Sequence, residues 1–280
     1  MDHDGMPSAL REVCAERLGA DLAARCLTLA RPGFALTEAR PGQAAGHSRF
    51  GGLALLEPGT PWPSCEGFPL SLLAVLDTDA LHPWLGGLVP VGTGLLNFFA
   101  LDSDSELSDP AALELSVQAG YDDPRCGRVI AARADAAVET EPPARASDFT
   151  PTPWTATPGF VLPDTWDPAW DTLDPGPDVE GIGRAMLGMH VRNQLAEGPP
   201  PPGLLDAEGH LAFGRPLFPT GSSPVLPDDE DPNTYHHLLQ LDSQNEWYIG
   251  GDGGCMHWSI PTEALRDGDF TRAIPTPDIF

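Results

Sequence analysis

The sequence predicts an α+β fold: a mainly antiparallel, bent, pseudo-symmetric β-sheet made from an internally duplicated β unit, with an N-terminal helix and a second helix near the middle of the chain. Two observations carry this expectation. Residues 69–99 hold an apolar run, Pro69-Leu70-Ser71-Leu72-Leu73-Ala74-Val75-Leu76-Asp77, then a loop, then Gly94-Leu95-Leu96-Asn97-Phe98-Phe99. Residues 235–260 repeat the plan with Tyr235-His236-His237-Leu238-Leu239-Gln240-Leu241-Asp242 and Gly254-Cys255-Met256-His257-Trp258-Ser259-Ile260. In each, a strand-like run ends on aspartate and a glycine opens the next one. The second observation is a change of hydrophobic period, from helical at the start of the chain to short Gly/Pro-bounded runs after residue 33.

In chain order, Pro7 to Ala30 is expected to be helical, because Leu10, Val13, Cys14, Leu18, Leu22 and Leu29 recur at three- and four-residue steps. Ser8 is the expected N-cap, Gly19 a possible division, and Pro32-Gly33 the stop signal. Strands follow at Phe34–Leu36, Gly52–Leu56, Leu70–Leu76 and Leu95–Leu101, with a weaker one at Val129–Arg133. Residues 139–178 are crowded with proline and carry Trp154, Trp166 and Trp170, which predicts a surface connection pinned over the core by its indoles. Val179–Glu197 is expected to be the second helix, burying Ile182, Met186, Met189 and Leu195, and Pro199–Pro202 to form a stiff linker after it. The last strands are expected at Tyr235–Leu241, Trp247–Ile249, Cys255–Ile260 and near Phe270–Ile274. The whole chain, 1–280, is taken as one domain: a helical segment 1–33, a first β half 34–135, a Pro/Trp-rich connection 136–178, and a helix with the second β half 179–280.

Charge narrows the partners. The chain has 41 acidic and 15 basic residues, all of the latter arginine, for a net charge of -26. Such a surface repels nucleic acid and anionic membranes, whose binding draws on Lys and Arg, and it suits a basic protein partner. Solubility alone is the plainer explanation. No apolar run is long enough to span a bilayer, and the acidic start lacks the basic leader of a secreted protein, so a bacterial cytoplasmic setting is expected. The cysteines Cys14, Cys26, Cys65, Cys126 and Cys255 are odd in number and form no Cys-x-x-Cys pair, so neither a zinc site nor a redox motif is expected.

Several segments resemble the YwqG-like family, a bacterial domain of unknown function. They are Phe50-Gly51-Gly52, Gly59-Thr60-Pro61-Trp62-Pro63, Gly67-Phe68-Pro69-Leu70, Leu76-Asp77 and Gly94-Leu95-Leu96-Asn97-Phe98-Phe99, then Leu238-Leu239-Gln240-Leu241-Asp242-Ser243, Gly251-Asp252-Gly253-Gly254, Ala264-Leu265 and Gly268-Asp269-Phe270. The chain departs from the family in having His257-Trp258-Ser259 for a Tyr-Phe-Phe strand and Gly214-Arg215-Pro216 for a Gly-Tyr-Pro turn. The resemblance implies a bent, pseudo-symmetric α+β sheet and brings no established reaction with it.

Candidate residues are therefore weighed on their own chemistry. Asp77 and Asp242 end equivalent strands, where they could pair across the pseudo-symmetry or simply cap the turns that follow. Asp252 lies in a glycine-rich turn, Trp62 between two prolines as a pocket wall or a packing anchor, and His257 on a strand beside that of His236 and His237. Adjacent strand histidines face opposite ways, so only one of 236 and 237 can share a site with His257. No resident metal or cofactor is expected. The acidic run Asp228-Asp229-Glu230-Asp231 lacks the spacing of a calcium loop and would serve as a lure for a basic protein. Two functions follow as expectations. One is an acidic binding protein that recognises or neutralises a basic partner. The other is a small-molecule- or metal-dependent enzyme with its site at the seam between the repeats, around Trp62, Asp77, Asp242, Asp252 and His257.

Overall fold

The computed structural model describes residues 6–85, 87–120, 123–174, 176, 184–218, 234–244, 246–250 and 253–279. The acidic run 228–231, Asp252 and the first residues of the expected mid-chain helix, Ile182 among them, lie outside the described residues.

The N-terminal helix is split at Gly19, whose φ of +82° breaks the spiral between α1 (Ser8–Leu18) and α2 (Ala20–Leu27). Ser8 is already helical and Pro7 occupies the cap position, with no side-chain cap. Nor does Pro32-Gly33 stop the helix, since both residues lie inside the first strand, β1 (Arg31–Glu38). Gly33 is needed there because a Cβ would come within 2.9 Å of the Gly214 backbone.

The remaining strands are β2 (Arg49–Phe50), β3 (Ala54–Leu56), β4 (Ser64–Cys65), β5 (Phe68–Pro69), β6 (Ser71–Asp77), β7 (Leu95–Ala100), β8 (Gly127–Ala132), β9 (Val138–Thr140), β10 (Thr152–Val161), β11 (His210–Phe213), β12 (Tyr235–Asp242), β13 (Gly254–Pro261) and β14 (Ile274–Ile279). Among the described residues, nine of them join β1 in one antiparallel sheet in the order β14-β13-β12-β11-β1-β10-β2-β6-β7-β8. Read from either end, the order is the same once β1, β2, β6, β7 and β8 are exchanged for β10, β11, β12, β13 and β14. Each half therefore lends its first strand to the other: β1 pairs with β11 and β10 with β2. The duplication extends to an irregularity. Pairing of β6 with β7 slips between Leu72 and Ala74, and pairing of β12 with β13 slips between His237 and Leu239, at the same position relative to the terminal aspartate. The sheet curls almost closed, bringing β8 against β14, where a Cβ on Gly127 would lie 2.5 Å from Pro275.

The Pro-rich connection is not only a surface loop. It contains β10, ten residues long and central in the sheet. Proline is tolerated because Trp154 N–H goes to Ser48 O and Phe160 N–H to Gly203 O, both away from β1. The missing N–H of Pro158, on that same side, falls where β10 has no second strand beside it. Trp154 and Trp170 are buried, whereas Trp166 is 55% exposed. The mid-chain helix α5 (Arg184–Ala196) follows helices α3 (Thr78–Leu85) and α4 (Pro110–Ala119) in the chain. It buries Leu187, Val191 and Leu195, while Met186, expected inside, is exposed. The expected strand at Trp247–Ile249 is reduced to a bridge between Gln244 and Trp247, and the run near Phe270 forms a 3-10 turn before β14.

Three cores result. The sheet interior holds Phe34, Phe98, Trp154 and Trp258; the helices enclose Leu10, Leu22, Leu187 and Trp170; and the outer face of the first half buries Leu72, Val75, Leu95 and Phe99. Phe98 and Trp258 occupy equivalent positions in the two halves, and their rings meet edge to face at 5.2 Å in the interior. The seam is thus filled by packed side chains. Among the described residues, no helix is long and apolar enough to cross a membrane.

Candidate functional site

The duplicated register allows the outer faces of the two halves to be compared position by position. Across β6, β7 and β8 the outward rows are Asp77–Leu95–Ala132, Val75–Asn97–Ile130 and Leu72–Phe99–Arg128. Across β12, β13 and β14 they are Asp242–Cys255–Asp278, Gln240–His257–Thr276 and His237–Ser259–Ile274. A face that is mostly apolar in the first copy is mostly polar in the second. Yet the second face is equally buried: His237, Gln240, His257, Ser259, Thr276 and Asp278 are each at most 3% exposed.

The covers explain part of this difference. In the first copy β3 lies over the face and is clamped by Asn97, which accepts from Leu55 N–H at 2.8 Å and donates to Leu55 O at 2.8 Å. In the second copy the clamp has moved one strand over, to Gln240. Its carbonyl accepts from Leu217 N–H at 2.8 Å, and its amide donates to Ala207 O and Gly209 O at 2.7 and 2.8 Å. His257, at the position of Asn97, is thereby released from holding a cover.

Its nitrogens have found no other use. Among the described residues, neither Nδ1 nor Nε2 of His257 has a hydrogen-bond partner, nor do Nε2 of His237 and the hydroxyl of Thr276. Thr276 is the cross-strand neighbour of His257, and the two imidazoles lie 5.8 Å apart. His237 Nδ1 lies 3.1 Å from Phe213 O, so it carries the proton and Nε2 is a bare acceptor. Buried polar atoms without partners cost roughly 1–3 kcal/mol each. Burial depresses both basicities, holding His237 at about 4 and His257 well below 6.5. Both rings are neutral at physiological pH and offer hydrogen bonds rather than charge.

Phe218 stacks on His257 at 4.2 Å and also lines an open cleft of about 410 Å³ with Gln240, Asp242, Cys255, Trp166 and Arg192. Cys255 is pushed up by burial and by Asp242, which keeps it a thiol. Among the described residues, no group of three His, Cys, Asp or Glu is arranged to hold a metal ion.

The other expected site residues are placed as follows. Asp77 accepts from Ala80 N–H at 3.1 Å, capping α3, and from His47 N–H at 3.0 Å. Asp242 accepts from Ser243 N–H at 2.8 Å and lines the cleft. Five strand positions separate the two, and they form no pair. Trp62 donates to Leu70 O and packs edge-on to Phe99 at 5.2 Å, on the face of the first copy. His236 lies on the opposite face from His237, where burial first and then Arg31, Arg215 and Arg266 hold it at about 3. His210 is fully engaged, accepting from Asp242 N–H at 3.1 Å and bonded to Gln244 Oε1 at 3.0 Å. Sequence reasoning therefore allowed one of His236 and His237 to meet His257 without choosing between them, and it missed Thr276, Gln240 and Phe218. The signal that could have found them is the residue-by-residue contrast between the copies.

These buried imidazoles set a pH dependence. Below about pH 6.5 the unfolded chain takes up protons that the folded chain refuses, so their contribution is complete above that pH and falls as the pH drops toward about 4. Moving from pH 7.5 to 5 should cost about 2 kcal/mol for His237, and His257 acts in the same direction. Relief of acidic self-repulsion acts in the other direction, so the readout is a difference. Urea midpoints of His237→Leu should lose about 2 kcal/mol less than wild type over that range. Parallel pH profiles would show that His237 titrates normally.

Residues 48–278 match the model of a family described as a domain of unknown function, DUF1963. The match begins after β1, although β10, the duplicate of β1, lies within it. A search of curated proteins finds no match.

Proposed function

The chain belongs to the DUF1963 family, the YwqG-like domain that its motifs resemble, and from this premise we propose that it is a binding protein whose ligand enters the cleft over the outer face of the second half-sheet. The family carries no assigned activity, so the reading rests on the site. One observation supports it: on one buried face His237, His257 and Thr276 keep polar atoms unpartnered among the described residues, where the first-copy counterparts Leu72, Asn97 and Ile130 are apolar or bonded. A face kept polar without internal partners costs stability, and a ligand that makes those bonds recovers it. Phe218, which stacks on His257 and also lines the cleft, joins this face to the cleft.

Thr276→Val tests the cost directly. Removing a buried hydroxyl without a partner, at constant shape, should raise unfolding free energy by about 1 kcal/mol, measured by urea denaturation. A loss of stability would mean that the hydroxyl is bonded. For the ligand, a metabolite library read by thermal shift should contain compounds that raise the wild-type midpoint but act weakly on Thr276→Val and His237→Leu. Compounds acting equally on all three proteins would place the site elsewhere, and a library without any stabilising compound would count against the reading.

The expected recognition of a basic protein rests on the net charge of -26. Its proposed contact run, Asp228 to Asp231, lies outside the described residues. Pull-down at low and high salt tests that reading separately, since attraction of this kind is screened by salt.

A further inference from the structure

The cleft does not end at its own walls. Asp164, Arg192 and Leu217 also line a second cavity of about 360 Å³, so the two adjoin at these side chains, the second forming a trough along α5. The second part runs between α5, the end of β10 and the loop after α5, against Val161, Trp170, Val191, Leu195, Leu204 and Leu205. Its wall is mainly hydrocarbon. Both volumes fall within the range of small-molecule sites.

The first part is of opposite character. Asp164, Glu208 and Asp242 line it against the single guanidinium of Arg192, leaving an excess of negative charge. Trp166, exposed, and Phe218 add two aromatic rings, whose faces attract cations. Phe218 stacks on His257, whose neighbours His237 and Thr276 hold an Nε2 and a hydroxyl without partners among the described residues. Arg192 sits at the boundary, 3.2 Å from Asp164 and 3.7 Å from Glu208, so it already shows what these carboxylates hold. The longer contact, to Glu208, is the one an incoming cation would take over.

Resting on the ligand-binding reading of this site, we propose that the ligand is a small cationic amphiphile. Its protonated amine lies in the carboxylate- and aromatic-lined cleft, and its apolar body lies in the trough along α5. An ammonium carries both the positive charge that the cleft attracts and the N–H donors that the buried acceptors lack. A carboxylate-headed amphiphile of the same length meets Asp164, Glu208 and Asp242 with like charge.

Titration calorimetry on the full chain at pH 8, with octylamine, octanol, octanoate and methylamine as probes, tests this. Octylamine should bind at one per chain, at least about tenfold tighter than octanoate, and methylamine should bind far more weakly for want of a body. Trp166→Ala and Glu208→Gln, both exposed substitutions, should each weaken octylamine by about three- to tenfold and leave octanol unchanged. Octanoate binding as tightly as octylamine overturns the inference, as does octylamine binding that neither substitution alters. If octylamine fails while library compounds still lose their effect in Thr276→Val, the site stands and the cationic class falls.

Discussion

Trp258→Ala should cost about 3–5 kcal/mol of unfolding free energy, the largest effect expected of any single substitution here. The indole is fully buried in the sheet interior and meets Phe98 edge to face at 5.2 Å. The two residues are counterparts in the duplicated halves, so truncating either empties the same space between them. Phe98→Ala should therefore cost a similar amount, and the double variant clearly less than the sum, with a coupling of about 0.5–3 kcal/mol. Chemical denaturation of the four proteins measures this. Strict additivity would mean that the rings do not share one cavity, and a loss under about 1 kcal/mol for Trp258→Ala would place the indole outside the core.

The second large effect is expected at the clamp of the first copy. Asn97 is fully buried and serves both backbone groups of Leu55, and it also donates to Ile130 O at 3.2 Å. Asn97→Leu keeps the volume but strands a buried N–H and carbonyl on β3. The cost should be about 3 kcal/mol or more, since each orphaned group forfeits its own desolvation. Hydrogen exchange gives a local readout: the Leu55 amide should lose protection well before the amides of β6 and β7. Unchanged protection at Leu55 would show that β3 is held by its packing and its pairing with β9, and that the amide adds little. The equivalent change in the second copy, Gln240→Leu, should loosen residues 207–209 and 217 instead, because that residue now carries the clamp.

Much of the scaffold was legible in the sequence because it is written in local patterns. The paired apolar runs closing on Asp77 and Asp242 became β6 and β12, and the glycine-led runs became β7 and β13. The break at Gly19 was legible for the same reason, since a lone glycine between two helical periods has few other uses. What misled were residues whose usual meaning was overridden by place. Pro158 argues against a central strand, yet it sits where its missing N–H faces no partner strand. Pro32-Gly33 is a stop signal that here opens a strand. The helix α4 passed unnoticed because Leu113 and Val117 are exposed, so its apolar residues mark no buried stripe.

The candidate site divides in the same way. Alternation along a strand was enough to set His236 and His237 on opposite faces, and one of them did come to lie beside His257. Thr276 was out of reach because its meeting with His257 depends on the pairing of β13 with β14. Asp77 was drawn toward chemistry by its symmetry with Asp242, but symmetry in a curled ten-stranded sheet sets the two on distant strands.

By itself, then, the sequence determined the class of fold and its duplication, because strand and helix periods and turn residues act over a few neighbours in the chain. The exchange of β1 and β10 between the halves, the closing approach of β8 to β14, and the identity of the polar face were decided by the tertiary structure. Each depends on strand register and on which cover lies over which face. A one-residue bulge at Leu73 and Leu238 is enough to choose the side on which the preceding residues of a strand emerge. Leu72 is consequently buried in an apolar layer, while His237, its counterpart, faces another histidine whose nitrogens remain unpartnered.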